Sequence, residues 1–523
     1  MKVRKWFTPI LGLTLLIMPL TTGCANTSTN NTTATQQKGN TSGGYSLVFD
    51  MAKYTEKTLT IKGQTIKYRA FENIVDVKNP VDTKYECMNF YVPEEYYEGK
   101  SIGNFTAETA PIFLPNEVGG YMPAEPGSLG PKEFGGPGGP GQPGGSGSTN
   151  AGSTEQNASD AGPNAAFVAL SKGYVVAEPG ARGRTTQDEN GQYTGKAPAG
   201  IVDLKAAVRY LRYNDKIMPG DAEKIISNGT SAGGALSSLL GATGNNKDYE
   251  PYLKAIGAAD TRDDIFAASC YCPITNLDNA DMAYEWMFNG LNDYSTREGT
   301  GTLTADQIKI SDKLKAMFPA YLNGLGHKKA DGTALTLGVD GNGTFKDYVK
   351  SFVIASAQKA LDSGKDLSSL TWMTIKDGKV TDINFNKYVE YATRMKPTPA
   401  FDGLDLSTGE NDLFGTAAIK AQHFTQLGKD NSTVGGSLAD ATLVKMMNPM
   451  NYIGSEGTTT ATYWRIRHGA VDRDTSLAIP VILATTLEQK GFNVDFAVPW
   501  GQGHGGDYDL DELFAWIGSI CGA

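Results

Sequence analysis

Residues 224–242 read KIISNGTSAGGALSSLLGA, and the fold turns on whether Ser231 is a nucleophile or merely a small residue in a tight turn. A chain with 62 glycines produces Gly-x-Ser-x-Gly easily by chance, so the flanks of residues 229–233 have to decide. Before the motif, residues 224–228 form a short β-prone segment after the turn-like Pro219-Gly220-Asp221. After it, residues 235–242 are small and apolar enough to pack as a buried helix. Strand, sharp turn and helix are what a nucleophile elbow requires. Gly229 and Gly233 flank a serine held in a strained backbone conformation, where side chains would collide between strand and helix. Upstream, Ile201, Leu204, Val208 and Leu211 recur at helical spacing, with Pro198 near the start. A helix followed by a strand that delivers the serine is half of an α/β unit.

A serine hydroxyl at neutral pH needs a base, usually His, and a carboxylate to orient that His. The chain has 4 histidines: His327, His423, His468 and His504. In this architecture the chain order is Ser, acid, His, each partner following a strand. His504 fits, in the glycine-rich loop PWGQGHGG (499–506) between the last strand and the last helix. The loop HGAVDRD (468–474) follows the preceding strand and supplies Asp472 and Asp474. Asp472 is the orienting acid by loop position, which leaves Asp474 for another task. His327 and His423 fall outside these loops, where exposed or packing roles are the default, and His468 ends a strand. The oxyanion needs two backbone N–H donors: Ala232, next after the nucleophile, and the early Gly119-Gly120 loop. No metal or organic cofactor is called for.

The rest of the chain bounds the setting. At 523 residues it can bury a large core. A net charge of −10 with no offsetting basic stretch argues against nucleic acid or anionic lipid as a partner, and no obligate protein partner is evident. Lys2, Arg4 and Lys5 precede a short apolar stretch interrupted by Pro9 and Pro19, then Thr21-Thr22-Gly23-Cys24. This pattern describes an export signal over 1–24. The Gly23-Cys24 junction resembles a bacterial lipobox, with Thr21 where such boxes carry an aliphatic residue. The resemblance implies lipidation of Cys24 and an exported protein, anchored at the cell surface through that lipid or secreted. Residues 25–45, rich in Asn, Thr, Ser and Gln, suit a flexible tether. The remaining Cys87, Cys270, Cys272 and Cys521 permit disulfides without choosing a pairing. Cys270-Tyr271-Cys272 is a poor metal signature and reads as thiols in a core strand.

Along the chain, a hairpin-like start (58–61, 65–71) leads to a strand over 85–92 and a low-complexity run, 126–163, containing GGPGGPGQPGGSGS. That run has almost nothing to bury and is expected to be a disordered insertion. After a strand near 265–272, strands of this kind do not resume until 463–467. The intervening stretch is far longer than a crossover helix needs and carries its own helical patterns, such as 345–363. It is expected to be a cap domain over 276–455, inserted into a core of 46–275 and 456–523. Helix 477–488, strand 494–498 and helix 510–520 restore the α/β alternation, which implies a mainly parallel sheet covered on both faces. Ligands of such sheets collect at the carboxyl ends of the strands.

Three stretches, NGTSAGGALSSLLGATGN (228–245), RHGAVDRDTSLAIPVILATTLE (467–488) and PWGQGHGGDYDLDELFAWI (499–517), resemble the bacterial tannases, tannin acylhydrolases of the α/β-hydrolase superfamily with a large cap. The similarity runs from about Tyr68 to the C-terminus around the 126–163 insertion. Fungal tannases place cysteines beside the catalytic Ser and His, where this chain has Thr230 and Gly503. The resemblance implies Ser231, Asp472 and His504 as the triad and a galloyl pocket containing Lys396, Glu410 and Asp474. Carboxylates accept from ring hydroxyls while an ammonium donates to a phenolic oxygen, so such a site rejects rings without hydroxyls. The expected activity is release of gallic acid from a small phenolic ester. A feruloyl or other carboxylesterase would share the triad and differ in the pocket, and a serine peptidase of the same superfamily fits less well. A tethered solute-binding lipoprotein would share the export signal but need no triad.

Overall fold

In the computed structural model, which describes residues 44–130, 164–296 and 299–522, Ile225 and Ile226 are both fully buried. Neighbouring strand residues face opposite sides of a sheet, so this strand is covered on both faces, as central parallel strands are. It is β6 (Asp221–Thr230) of the thirteen strands among the described residues. Before it come β1 (Thr55–Ile61), β2 (Gln64–Val75), β3 (Cys87–Pro93), β4 (Pro111–Pro115) and β5 (Val175–Pro179). After it come β7 (Ala267–Tyr271), two small hairpins, β8 (Asp293–Ser295) with β9 (Thr300–Thr302) and β10 (Met373–Lys376) with β11 (Lys379–Ile383), then β12 (Tyr463–Arg467) and β13 (Asn493–Ala497).

Nine strands form one sheet in the order β1-β2-β3-β5-β4-β6-β7-β12-β13. From β5 to β13 every pairing is parallel, and β1, β2 and β3 add an antiparallel edge. This is the mainly parallel α/β-hydrolase sheet read from the sequence. Its carboxyl edge brings the ends of β6, β12 and β13 onto one side of the sheet, with β7 between β6 and β12, and each of the three is followed by one of the loops that matter.

The helices around β6 explain why the elbow is rigid. Ile201, Leu204, Val208 and Leu211 of helix Ala199–Tyr213 are buried, as their spacing predicts. The polar side of the same helix also points inward, where Lys205 and Arg209 pair with Asp263 at 2.7 and 2.8 Å. Helix Ala232–Ala242 is buried along its whole length. Its Gly241 lies so close to the Trp464 ring that a Cβ there would approach within 2.7 Å.

Two expectations change. The low-complexity insertion does not begin at Pro126: Leu129 is buried, and the Gly127 carbonyl accepts hydrogen bonds from Asn89 Nδ2 and Tyr91 Oη at 2.9 and 3.2 Å. Two hydrogen bonds from β3 to Gly127 and the burial of a single leucine hold 126–130 to the core, which a reading by composition passes over. Residues 131–163, the expected export signal with Cys24, and the expected tether up to residue 43 lie outside the described residues. The second change concerns 276–455. Gly44–Ala523 forms one compact unit, and Trp286, Phe318, Phe345 and Phe385 of the insertion belong to the same continuous core as the sheet strands, while Ala357, Ala360, Leu367 and Val380 form a small cluster of their own. The boundaries at 276 and 455 therefore mark an insertion rather than an independent folding unit. Its helix Leu277–Phe288 packs directly against helix Ala478–Gln489 of the sheet layer, because Ala280, Ala283, Tyr284, Met287 and Phe288 are all buried. Among the described residues no helix is long and apolar enough to cross a membrane.

Candidate active site

Ser231 sits between β6 and helix Ala232–Ala242 with φ 61° and ψ −121°. A non-glycine residue there is strained, and the surroundings show what enforces it. A Cβ on Gly229 would lie 2.3 Å from the Gly233 carbonyl oxygen, and one on Gly233 would lie 2.7 Å from the Val118 carbonyl oxygen. Both flanking positions therefore admit only glycine. The Ser231 N–H donates to the Tyr271 carbonyl of β7 at 3.0 Å, fixing the turn to its neighbour strand.

The loops after β12 and β13 close on this turn. Gly469 packs on the Gln502 carbonyl and Gly506 on Thr230, each so closely that a Cβ would overlap its neighbour. That contact brings His504 to Ser231 and Asp472 to His504. His504 Nε2 lies 2.8 Å from Ser231 Oγ, and His504 Nδ1 lies 2.9 Å from Asp472 Oδ2. The second Asp472 oxygen accepts the Asp474 N–H at 2.9 Å. Burial raises the Asp472 carboxyl, but His504 and His468 beside it outweigh that and hold it below its ordinary value. Burial pushes the His504 imidazole down, yet the Asp472 carboxylate prevails and leaves it well above the ordinary histidine value.

The other expected residues fall around this centre. Ala232 is the first residue of its helix, so its N–H has no intrahelical partner. The Gly119-Gly120 loop abuts the elbow through the Val118–Gly233 contact. Lys396 Nζ lies 2.8 Å from Asp474 Oδ1 and 4.1 Å above the Phe401 ring. Burial lowers this ammonium, but Asp474 and then Glu410 carry it up to about 12. Glu410, on the short helix Gly409–Leu413, feels both groups, and its burial raises its carboxyl. Asp472 and Asp474 thus put the triad and the Lys396–Glu410 cluster on one loop.

The remaining histidines turn away from the chemistry. His423 is buried between Asp402 and Ser432 at 2.7 and 2.8 Å, and His327 is 2.9 Å from Thr486. His423 ties the insertion to itself, and His327 ties it to helix Ala478–Gln489 of the sheet layer. His468 is enclosed 3.7 Å from Asp472, and burial lowers its imidazole. Cys87, Cys270, Cys272 and Cys521 are free, buried thiols. Cys272 lies 4.0 Å from His504 Nε2 and donates to the Gly505 carbonyl. Together with Asp472 and His504 it makes a three-donor cluster, but Asp472 and His504 are already hydrogen-bonded to each other.

Sequence reasoning missed Tyr284. Its hydroxyl donates to the Arg473 carbonyl at 3.0 Å and accepts the Lys396 N–H at 3.0 Å, so it joins the acid loop to the Lys396 segment. No local pattern marks it, because it reads as one more apolar residue of a buried helix.

Comparison with known proteins bears on the family and the fold. The BD-FAE family model matches residues 145–322. Esterase LipQ of Mycobacterium tuberculosis is 33% identical over 100 residues, which is 19% of this chain and 23% of LipQ. The crystal structure of Fusobacterium nucleatum tannase is 51% identical with a TM-score of 0.83, covering 91% of this chain and 100% of that one. The native tannin acyl hydrolase of Lactobacillus plantarum is 46% identical with a TM-score of 0.84, covering 91% and 99%. A tannin acyl hydrolase in complex with ethyl gallate is 47% identical with a TM-score of 0.83 and the same coverage. With half its residues identical to a solved tannase along that protein's whole length, the chain belongs to the bacterial tannases and is a carboxylic ester hydrolase of the α/β-hydrolase fold.

Proposed function

We propose that the protein hydrolyses galloyl esters, releasing gallic acid through a galloyl-enzyme formed on Ser231. The observation that carries this reading is the pairing of a Ser231–His504–Asp472 chain with a half-buried Lys396–Asp474–Glu410 cluster on the same loop system. The Ser231 hydroxyl donates to His504 Nε2, which takes the proton as Oγ attacks the ester carbonyl. Asp472 accepts from Nδ1–H and holds the ring in that tautomer. The N–H groups of Ala232 and of the Gly119-Gly120 loop receive the oxyanion. His504 then protonates the departing alkoxide, and a water deprotonated by His504 opens the acyl-enzyme. Lys396 donates to a phenolic oxygen while Asp474 and Glu410 accept from ring hydroxyls. A solved relative holding ethyl gallate supports this substrate class.

The test compares kcat/KM on methyl gallate, methyl ferulate and methyl benzoate. The expected preference for gallate over benzoate is about 10²–10⁴-fold, because a ring without hydroxyls leaves charged groups unpaired. Lys396→Met should lose most of that preference while retaining turnover of methyl benzoate. Comparable rates on all three esters in the wild type would leave a general phenolic carboxylesterase.

We further propose that the protein works outside the cytoplasm, tethered by a lipid on Cys24. The basic, apolar and small-residue order of 1–24 supports this. The wild type is expected to partition with detergent and the Cys24→Ala variant with the aqueous phase; aqueous partition of both would refute the anchor.

A further inference from the structure

The loop that follows β4 has two consecutive left-handed residues, Gly120 and Tyr121, each with φ 55°. Glycine takes this conformation freely; tyrosine there is strained by about 1 kcal/mol or more, so the surroundings must hold it. Four contacts do so. The Met122 N–H closes a turn on the Gly119 carbonyl at 2.9 Å. The Arg184 backbone N–H donates to the Tyr121 carbonyl at 2.8 Å. The Arg184 side chain donates through Nε to the Gly120 carbonyl at 2.9 Å. On the far side, the Tyr121 hydroxyl donates to the Ile274 carbonyl at 3.0 Å, and the Ile274 N–H donates to the Ser231 carbonyl at 3.3 Å. The loop is therefore strung between Arg184 and the nucleophile's own turn.

Arg184 is itself anchored on both sides. Its Nη1 donates to Asp412 Oδ2 at 2.6 Å, and Asp412 lies on the same short helix as Glu410. The guanidinium lies against Gly409, where a Cβ would sit 3.3 Å from Cζ. Behind it, Gly183 presses on Met122 and Pro123. Arg182 grips Asp203 through three side-chain contacts between 2.7 and 3.3 Å. The segment Arg182-Gly183-Arg184 is thus a fixed strut. A trans peptide holds its C=O and N–H antiparallel. Fixing the Gly120 carbonyl on Arg184 therefore fixes the direction of the Tyr121 N–H on the same peptide plane. Among the described residues no carbonyl or side chain accepts the N–H of Gly120 or Tyr121.

We infer that Arg184 is a positioning residue for ester cleavage: by holding the Gly120 carbonyl and Asp412 together it orients the N–H donors of the oxyanion loop. The inference rests on the Ser231 acyl-enzyme reading above, but it concerns the carbonyl oxygen common to all esters rather than the galloyl ring. Its effect belongs in kcat for any acyl group. A residue that bound the ring would instead act on KM for gallate alone.

The experiment measures kcat and KM for methyl gallate and p-nitrophenyl acetate with the full folded protein and its Arg184→Gln and Arg184→Lys variants. It also measures Ki for phenylboronic acid, whose boron becomes tetrahedral on bonding to the serine oxygen. Arg184→Gln is expected to lower kcat by about 10–100-fold on both esters, less than or near the loss of a whole oxyanion donor. KM for methyl gallate should stay within a few-fold, and Ki should rise in parallel with the kcat loss. Arg184→Lys keeps the charge beside Asp412 without the planar fork and should recover part of the rate, and it stands in if the Gln variant fails to fold. Unchanged kcat on p-nitrophenyl acetate in a folded variant would overturn the inference, as would a loss confined to KM for methyl gallate. A wild type that cleaves p-nitrophenyl acetate but not methyl gallate would refute the galloyl reading and still leave Arg184 tested.

Discussion

Ser231→Ala is expected to lower kcat on methyl gallate by about 10⁵–10⁶-fold, the scale seen when a triad serine is removed and only the oxyanion donors and substrate binding remain. The reason is local. Oγ is the one atom that connects the ester carbonyl to His504, 2.8 Å away, and among the described residues no other hydroxyl stands in hydrogen-bond contact with that imidazole. The fold should be indifferent. Alanine meets the same left-handed strain as serine at φ 61°, and the glycines that create the turn are untouched. Methyl gallate should therefore still bind to the variant with an affinity within a few-fold of the wild-type value. Calorimetric titration of the variant, paired with single-turnover kinetics, measures both quantities. Residual activity above about one per cent of wild type would mean that Ser231 is not the nucleophile.

Asp472→Asn should lower kcat by about 10⁴-fold, because an amide in place of the carboxylate favours the wrong imidazole tautomer. It carries a second, independent signature in the pH profile. The base form of His504 must be neutral, so kcat/KM rises as pH rises through its pKa. With Asp472 present that pKa lies well above 6.5, and the acid limb of the wild-type profile is expected well above pH 6.5. Without the carboxylate, burial acts unopposed by its strongest counterweight, and the limb should move to lower pH. A rate loss with an unmoved acid limb would assign the limb to another group. Glu410, whose carboxyl burial raises, is the group to test next. Its deprotonation restores an acceptor for ring hydroxyls, so its limb would appear with gallate and be absent with p-nitrophenyl acetate.

The elbow was legible because its chemistry is local. Strand, glycine, serine, glycine and buried helix lie within 19 consecutive residues, 224–242, and backbone sterics at Gly229 and Gly233 allow no other reading once the turn forms. His504 and Asp472 were legible through order alone, since each follows a strand of a parallel sheet whose carboxyl ends share one edge. Lys396 and Glu410 were legible only through family resemblance: alone, each is a surface-like charge in a polar stretch.

The sequence by itself thus determined the α/β-hydrolase class, the position of Ser231 and the chain order of its partners, because period, glycine placement and strand succession are properties of neighbouring residues. Tertiary structure decided the rest. It drew Gly127 onto β3 and Leu129 into the core, merged 276–455 with the sheet core, and assigned Tyr284 and Arg184 to the junctions between loops. Those assignments depend on which carbonyl a distant side chain meets, as Arg184 meets Gly120 and Asp412. Such meetings join positions 64 and 228 residues apart, and only packing of the whole chain brings them within hydrogen-bond distance.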